Sequence, residues 1–269
     1  MAARIVLLGL PTDRNSSVVR GPAKAPPLVR AMLYSDHSNP AAELGGELGD
    51  GIDLADRGDL DLAETGADDA AIRDAVAAIC ASGAAPLSIG GDHSVTYPVL
   101  QVVAAHHGPV SILHIDAHPD LYDELGGNRR SHASPFARIM EEGLAKRLVQ
   151  VGIRTLNGHQ REQAARFGVE IVPPLGFAAD RVPVLEGPVY ISIDLDGLDP
   201  SVAPGVSHQE PGGLTVREVL AMLDAVRAPV VGGDVVEYNP DRDVGEMTAI
   251  VAAKLVKELA ALIARNHPA

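Results

Sequence analysis

The chain has 269 residues, of which 46% are hydrophobic and 3% aromatic, and its formal net charge is −14. This length and hydrophobic share suffice for one α/β domain, so we expect a single domain over residues 1–269 with a core of aliphatic side chains. The excess of acids argues against a nucleic-acid binder or an anionic-membrane binder and is compatible with a small cationic substrate.

The first predicted element is a short apolar strand, Ile5 to Leu10, which is too short to span a membrane and lacks a secretory cleavage pattern. Cys80 is the only cysteine, so one chain can form no internal disulfide. Both observations favour a cytoplasmic protein in a reducing setting.

Apolar runs alternate with helical patterns along the rest of the chain. Runs typical of strands lie at 4–10, 86–89, 111–115, 148–153, 169–172, 189–193 and 230–236. Helical spacing of apolar residues lies at 23–33, 68–81, 97–107, 134–146, 159–167, 216–226 and about 246–264. This alternation predicts a parallel sheet with helices on both faces. Residues 35–69 have weak periodicity, and we expect a surface loop with short elements there.

Four of the predicted strands run directly into polar groups. The segments that follow them are Gly90-Gly91-Asp92-His93-Ser94, Asp116-Ala117-His118-Pro119-Asp120, Asp194-Leu195-Asp196 and Glu237-Tyr238-Asn239-Pro240. In a parallel α/β sheet, ligands bind beyond the carboxyl ends of the strands. Carboxylates and imidazoles gathered at one such edge would repel strongly without cations between them. The pattern therefore predicts a metal site, and two metals rather than one.

The donor types indicate which metal and which reaction to expect. Two imidazoles and four carboxylates form an oxygen-rich set without thiolate, which favours Mn²⁺, with Co²⁺ or Ni²⁺ as alternatives. Two ions about 3.5–4 Å apart can share one water and lower its pKa towards neutrality. The chain has no Gly-x-Ser-x-Gly elbow, phosphate-binding loop or dinucleotide fingerprint. We therefore expect hydrolysis by an activated water, without a covalent protein nucleophile.

At these motifs the chain resembles the arginase–agmatinase family of ureohydrolases, and the plant-type arginases most. The resemblance rests on Ser131-His132-Ala133-Ser134, on Ala203-Pro204-Gly205-Val206-Ser207-His208 and on Glu210-Pro211-Gly212-Gly213, and it extends over nearly the whole chain. It implies a three-layer α/β/α fold with a parallel sheet of about eight strands. It also implies a homo-oligomer, either a trimer or a hexamer.

The resemblance implies two Mn²⁺ per chain and a role for eight side chains. One ion would bind His93, Asp116, Asp120 and Asp194, and the other would bind Asp116, His118, Asp194 and Asp196. Glu237 would hold the substrate guanidinium, a planar fork that suits a bidentate carboxylate. Asp120 would hold the proton of the attacking hydroxide, and His132 would exchange protons with water.

The implied substrate is L-arginine, cleaved to L-ornithine and urea, with agmatine or another guanidino or formimino acid as the alternative. Loop 121–130 should face the substrate tail through Asn128 and Arg130, and a cation at Arg130 favours a substrate carboxylate. Asn157 and His208 are further candidate contacts, but both are neutral and differ from the residues of many relatives. Tyr122, Asp123 and Glu124 would instead suit the free ammonium of agmatine.

Two other classes stay open at this point. One is a single-zinc amide hydrolase on a similar scaffold, against which the full ligand set and Glu237 argue. The other is a non-catalytic metal-dependent binding protein, which would normally have a broken ligand set.

Overall fold

The computed structural model describes residues 4–36 and 38–266. Its strands are β1 Ile5–Leu10, β2 Glu47–Leu48, β3 Gly51–Ile52, β4 Leu54–Asp59, β5 Ala85–Gly90, β6 Val110–Ile115, β7 Ala145–Val151, β8 Glu170–Val172, β9 Val189–Asp194 and β10 Val230–Val236. Its α-helices are α1 Ala25–Leu33, α2 Asp68–Ala81, α3 Thr96–His107, α4 Pro135–Glu141, α5 Gly158–Phe167, α6 Val216–Ala225 and α7 Met247–Asn266.

Eight of the strands form one sheet in the order β4-β1-β5-β10-β9-β6-β7-β8. Every pair in it is parallel. The four central strands, β5, β10, β9 and β6, are the strands whose carboxyl ends carry the polar motifs. The topology therefore brings those motifs together at one edge of the sheet.

Helices cover both faces of the sheet, and each face has its own apolar core. Alternate strand residues enter opposite cores: Ile5 and Leu7 pack with residues of α1, α6 and α7, whereas Val6 and Leu8 pack with residues of α2, α3 and α4. Strands buried on both faces require the continuous apolar runs that the sequence contains. The predicted three-layer α/β/α fold is confirmed.

Segment 35–69 and helix α4 differ most from the predicted elements. Segment 35–69 contributes an edge strand, β4, with the sequence Leu-Ala-Asp-Arg-Gly-Asp. Its residues are half-buried or exposed, so the strand does not need an apolar run. Helix α4 ends at Glu141, five residues before the predicted end, because Gly143 turns the chain at a φ of 66° and β7 begins at Ala145.

The turn after β5 is packed tightly against the loop that follows β1. A Cβ atom on Gly91 would lie 1.9 Å from the carbonyl oxygen of Thr12, so only glycine fits at this position. The carbonyl of Gly91 accepts a hydrogen bond from the backbone N–H of Glu237. This packing fixes the ends of β5 and β10 relative to each other.

Within residues 4–36 and 38–266, no helix combines the length and the apolar character needed to cross a membrane.

Candidate metal centre

His93 lies in the turn after β5, and its ring is completely buried. Among the described residues its Nδ1 has no hydrogen-bond partner, yet it lies 3.1 Å from Oδ2 of both Asp120 and Asp194 and 3.3 Å from Oδ2 of Asp116. An imidazole nitrogen facing three carboxylate oxygens without a hydrogen bond is an arrangement suited to a cation.

The other nitrogen of His93 defines the tautomer. Its Nε2 lies 2.9 Å from Oγ of Ser192, and that hydroxyl donates to Oδ1 of Asp234 at 2.6 Å. Ser192 must therefore accept from His93, so the proton is on Nε2 and the Nδ1 lone pair points at the carboxylates. A metal-binding histidine usually has a second hydrogen bond of this kind.

A second group of ligand atoms lies beside the first. Nδ1 of His118 is 3.1 Å from Oδ2 of Asp196 and 3.5 Å from Oδ1 of Asp116. Asp116 thus directs one oxygen towards His93 and the other towards His118. An octahedral ion with bonds of about 2.1 Å holds neighbouring ligand atoms about 3.0 Å apart. The observed spacings fit two ions that share Asp116.

The predicted bridging role of Asp194 has less geometric support. Its Oδ2 faces His93, while its Oδ1 accepts a hydrogen bond from the backbone N–H of Asp196 at 2.8 Å. Asp194 therefore belongs with the His93 group by distance.

The carboxylates of this cluster destabilise one another in their charged forms. Burial, together with the charges of Asp196 and Asp116, raises the pKa of Asp194 well above its usual range. Burial and the charge of Asp116 raise the pKa of Asp120 to about 6. For Asp196, burial raises the pKa to about 7 even though His118 opposes the change. Cations at this position would relieve the repulsion.

His114 is a residue of this centre that the sequence analysis missed. Its Nδ1 lies 3.0 Å from Nε2 of Gln150, which also donates to the carbonyl of Pro119 at 2.6 Å. Because that amide nitrogen is a donor, the proton of His114 is on Nε2, which donates to Oδ2 of Asp116 at 2.8 Å. Burial lowers the pKa of His114 to about 4, so the ring is neutral.

His114, His93 and Asp116 together also have the spacing of a metal-binding group. The hydrogen bond from His114 to Asp116 makes His114 a support for the carboxylate. The sequence did contain a signal for this residue, because His114 stands two positions before Asp116, and side chains two positions apart along extended backbone point to the same side.

Asp120 and Glu237 share an unusual backbone conformation. Their φ angles are 50° and 64°, in the left-handed region that residues other than glycine rarely adopt. Both side chains are buried at the carboxyl edge of the sheet. Strain of this kind occurs where the fold fixes a side chain for function.

Glu237 and His132 form a buried pair next to the metal-binding groups. Oε1 of Glu237 accepts from the backbone N–H of His93 at 2.9 Å and lies 2.8 Å from Nδ1 of His132. Burial alone would raise the pKa of Glu237, but His132 and the hydrogen bond from His93 lower it. Burial would likewise lower the pKa of His132, but Glu237 raises it to about 9.

A cavity of about 490 Å³ opens above these groups. Its inner residues include Asp120, His132, Asp194, Asp196 and Glu237. Its outer walls include Ser17, Tyr122, Thr155, Asn157, His208 and Glu210. The cavity therefore leads from the protein surface to the ligand cluster.

Of the predicted tail-binding residues, Asn157 and His208 line this cavity. The Asn157 side chain caps α5 by accepting from the N–H of Gln160 at 2.9 Å, and its amide donates to the Tyr122 hydroxyl at 2.6 Å. Nε2 of His208 is buried, and no described residue forms a hydrogen bond with it. Burial and the nearby His132 charge lower the pKa of His208.

Asn128 and Arg130 do not line the cavity, which corrects the sequence prediction for both. Arg130 forms a bidentate salt bridge with Asp69 at 2.9 Å and lies 4.4 Å above the ring of Tyr97. These local partners hold the guanidinium away from the cavity. Asn128 donates to the side chain of Asn15 and accepts from the backbone N–H of Arg130.

Comparison with known proteins identifies the family. The Arginase family model matches residues 3–261. Arginase 1, mitochondrial, of Arabidopsis thaliana is 50% identical over 277 residues, covering 96% of this chain and 81% of the relative. The chain belongs to the arginase family.

Solved structures agree with this assignment. The arginase from Medicago truncatula superposes with a TM-score of 0.92 at 46% identity, covering 97% of this chain and 88% of that one. The proclavaminate amidino hydrolase from Streptomyces clavuligerus has a TM-score of 0.88 at 33% identity, covering 99% of this chain and 93% of that one. Membership of the arginase family confirms the predicted enzyme class, a hydrolase that acts on guanidino compounds.

Proposed function

We propose that this arginase-family chain hydrolyses L-arginine to L-ornithine and urea with two divalent metal ions, Mn²⁺ being the preferred metal. The observation that carries the proposal is the unpartnered Nδ1 of buried His93, which faces three carboxylate oxygens. The arginine substrate is suggested by the plant relatives, which are named arginases.

The ligand spacings fit two ions that share Asp116, whereas the shared role of Asp194 comes from the family resemblance. We assign His93, Asp116, Asp120 and Asp194 to one ion, and Asp116, His118, Asp194 and Asp196 to the other. When bound, the two ions would lower the pKa of a shared water and stabilise negative charge that develops on the substrate. The donor set contains no thiolate and is rich in oxygen, which supports Mn²⁺ over a structural zinc ion.

Glu237 is proposed to bind the guanidinium group. Its carboxylate is buried at the inner end of the cavity, and His132 and the His93 N–H keep it anionic. A guanidinium presents parallel N–H donors that match two carboxylate oxygens. Binding there places the guanidinium carbon beside Asp120 and Asp194, where an activated water would be held.

Asp120 and His132 are proposed to transfer protons during the hydrolysis. Asp120 lines the cavity beside the proposed site of the activated water, so its carboxylate can accept a proton during attack and return it. His132 lines the same cavity, and its pKa of about 9 lets it supply a proton to the leaving amine.

The outer cavity would recognise the substrate tail. Glu210 lines it and brings a carboxylate to the cavity wall. An acid there would attract the ammonium group of the tail. Tyr122, Asn157 and His208 supply polar groups that suit an α-carboxylate or an α-amino group.

Agmatine is the second candidate substrate. The described residues that line the cavity include no Lys or Arg, so neither of these side chains is placed to bind a carboxylate. Agmatine has lost the carboxylate of arginine and keeps a terminal ammonium, which Glu210 would also attract.

Urea release after loading with Mn²⁺ tests the proposed function. We expect kcat/KM for L-arginine to exceed that for agmatine and for guanidinobutyrate. A higher value for agmatine would establish the second candidate, and no urea from any of the three would contradict the proposal.

Three further expectations stay predictions. They are the single domain over residues 1–269, the trimeric or hexameric assembly, and the cytoplasmic setting. The plant relatives have mitochondrial or chloroplastic names, so the compartment in particular needs a direct measurement. Light scattering after size exclusion would give the oligomeric state.

A further inference from the structure

A proton-carrying histidine must exchange its proton with water, and His132 is buried with 7% of its surface exposed. Its Nδ1 is occupied by Glu237 at 2.8 Å. Exchange therefore depends on the second nitrogen, Nε2, and on whatever group lies between Nε2 and solvent.

Ser17 lies at that position. Its Oγ is 3.0 Å from Nε2 of His132, and its backbone N–H donates to the same nitrogen at 3.2 Å. Ser17 is exposed and also lines the cavity. It is thus in contact with both the buried ring and solvent.

The loop that carries Ser17 is held firmly against His132. The carbonyl of Asn15 accepts from the backbone N–H of His132 at 3.0 Å. The backbone N–H of Asn15 donates to Oδ2 of buried Asp92 at 2.8 Å, and the Asn15 amide donates to Oγ of Ser94 at 2.9 Å. These contacts fix the distance from Ser17 to the ring.

The two polar groups of Ser17 act differently on His132. A backbone N–H can only donate, so it stabilises the neutral ring whose Nε2 carries a lone pair. A hydroxyl can donate to that lone pair or accept from a protonated Nε2. The hydroxyl can therefore form a hydrogen bond with both the neutral and the protonated ring of His132. The backbone N–H can form one with the neutral ring only.

We propose that the Ser17 hydroxyl relays protons between Nε2 of His132 and bulk water. The proposal rests on the proposed function, in which His132 carries protons for the hydrolysis. In the outward step the Nε2–H bond breaks as a bond forms to Ser17 Oγ, and the original Oγ–H proton passes to a water molecule or a buffer base. The inward step is the reverse, with water or a buffer acid as the donor. Ser17 does not contact the reacting atoms and acts through His132.

Other titratable groups around His132 do not offer this route. Glu237, Asp92 and Asp120 act on the ring electrostatically, and all three are buried. The His208 ring lies with its centroid 5.5 Å from that of His132, and its Nε2 has no hydrogen-bond partner among the described residues.

The test compares Ser17→Ala and Ser17→Thr with Ser16→Ala as a matched control. Ser16 is in the same loop, but its hydroxyl contacts Asp92 at 3.4 Å and not His132. In weakly buffered solution we expect Ser17→Ala to lower kcat by about tenfold with KM and metal content unchanged. Added Tris, a diffusible proton carrier, should restore kcat, and Ser17→Thr should keep it. Ser16→Ala should behave as the wild type does.

A second measurement needs no substrate. The exchange of the His132 ring proton with water, followed by ¹⁵N NMR of the metal-loaded protein, should slow in Ser17→Ala and stay unchanged in Ser16→Ala. Unchanged exchange, or a loss of kcat that no buffer restores, would overturn the relay. If the wild type releases no urea but Ser17→Ala slows ring exchange, the relay stands and the proposed function fails.

Discussion

Nδ1 of His132 lies 2.8 Å from Oε1 of Glu237, and both side chains are buried at the inner end of the cavity. The pair joins the residue proposed to bind guanidinium to the residue proposed to carry protons. Substrate binding at Glu237 would therefore change the electrostatic environment of His132 directly, and a variant of one residue should alter the pKa of the other.

Replacing Glu237 with Gln should abolish turnover and leave the metals in place. The amide keeps the shape of the side chain but loses the charge that attracts guanidinium, so kcat/KM should fall at least about a hundredfold. Because the Glu237 charge raises the pKa of His132, that pKa should also fall in the variant. Urea release, metal analysis and NMR titration of His132 check the three outcomes. Near-normal turnover would exclude Glu237 as the guanidinium-binding residue.

The His132–Glu237 pair should stabilise the protein in a defined pH range. The pKa of His132 rises from 6.5 to about 9 on folding, so the protonated ring favours the folded state. This contribution is complete below pH 6.5 and is lost as the pH rises through about 9. The Tm difference between wild type and His132→Asn should therefore be larger at pH 6 than at pH 10. A difference that does not depend on pH would contradict the pair.

Replacing Asp116 with Ala should remove metal binding, since its two oxygens face the two groups of ligand atoms separately. We expect a loss of both ions and of urea release. Asp180→Ala is a suitable control, because Asp180 is exposed and lies outside the cavity. Metal content after gel filtration measures the effect, and two retained ions in Asp116→Ala would contradict the bridging role.

Gln150→Leu should weaken metal binding without touching a ligand. The change removes the donor to His114 and to the Pro119 carbonyl, so Asp116 loses its fixed orientation. Loss of a hydrogen bond that orients a metal ligand typically lowers metal affinity by about 10–100-fold. Calorimetric titration of metal-free protein with Mn²⁺ measures the effect. Gln101→Leu is the control, because Gln101 is half-buried in α3 and hydrogen-bonds Arg73 and Glu142 outside the site. Equal affinity in the two variants would show that His114 needs no support from Gln150.

The sequence predicted most of the sheet, since strands buried on both faces need continuous apolar runs, and Val230–Val236 was predicted with the observed bounds. Edge strand β4 was not predicted. An edge strand has a neighbouring strand on one side only and can be polar, and Leu54–Asp59 has no apolar run. Strand order is set by packing between distant segments and could not be predicted from the sequence. The rule that ligands bind beyond the carboxyl ends of parallel strands was the only ground for expecting the four polar motifs to meet.

The candidate site also has residues that could be predicted from the sequence and residues that could not. The six predicted ligands and Glu237 all lie at the carboxyl edge, since their positions follow from strand ends. The sequence predicted that Arg130 faces the substrate tail. It gave no sign of the salt bridge that holds Arg130 elsewhere, because Asp69 is 61 residues away along the chain. Glu210 and Ser17 enter the cavity from loops whose paths depend on the whole fold.

We propose that two ions lie between His93 and His118 and share Asp116. A crystal structure of the Mn²⁺-loaded protein, with anomalous data at the manganese edge, tests it most directly. We predict two anomalous peaks per chain about 3.5 Å apart, one beside Nδ1 of His93 and one beside Nδ1 of His118. A single peak, or ions bound away from both histidines, would contradict the account.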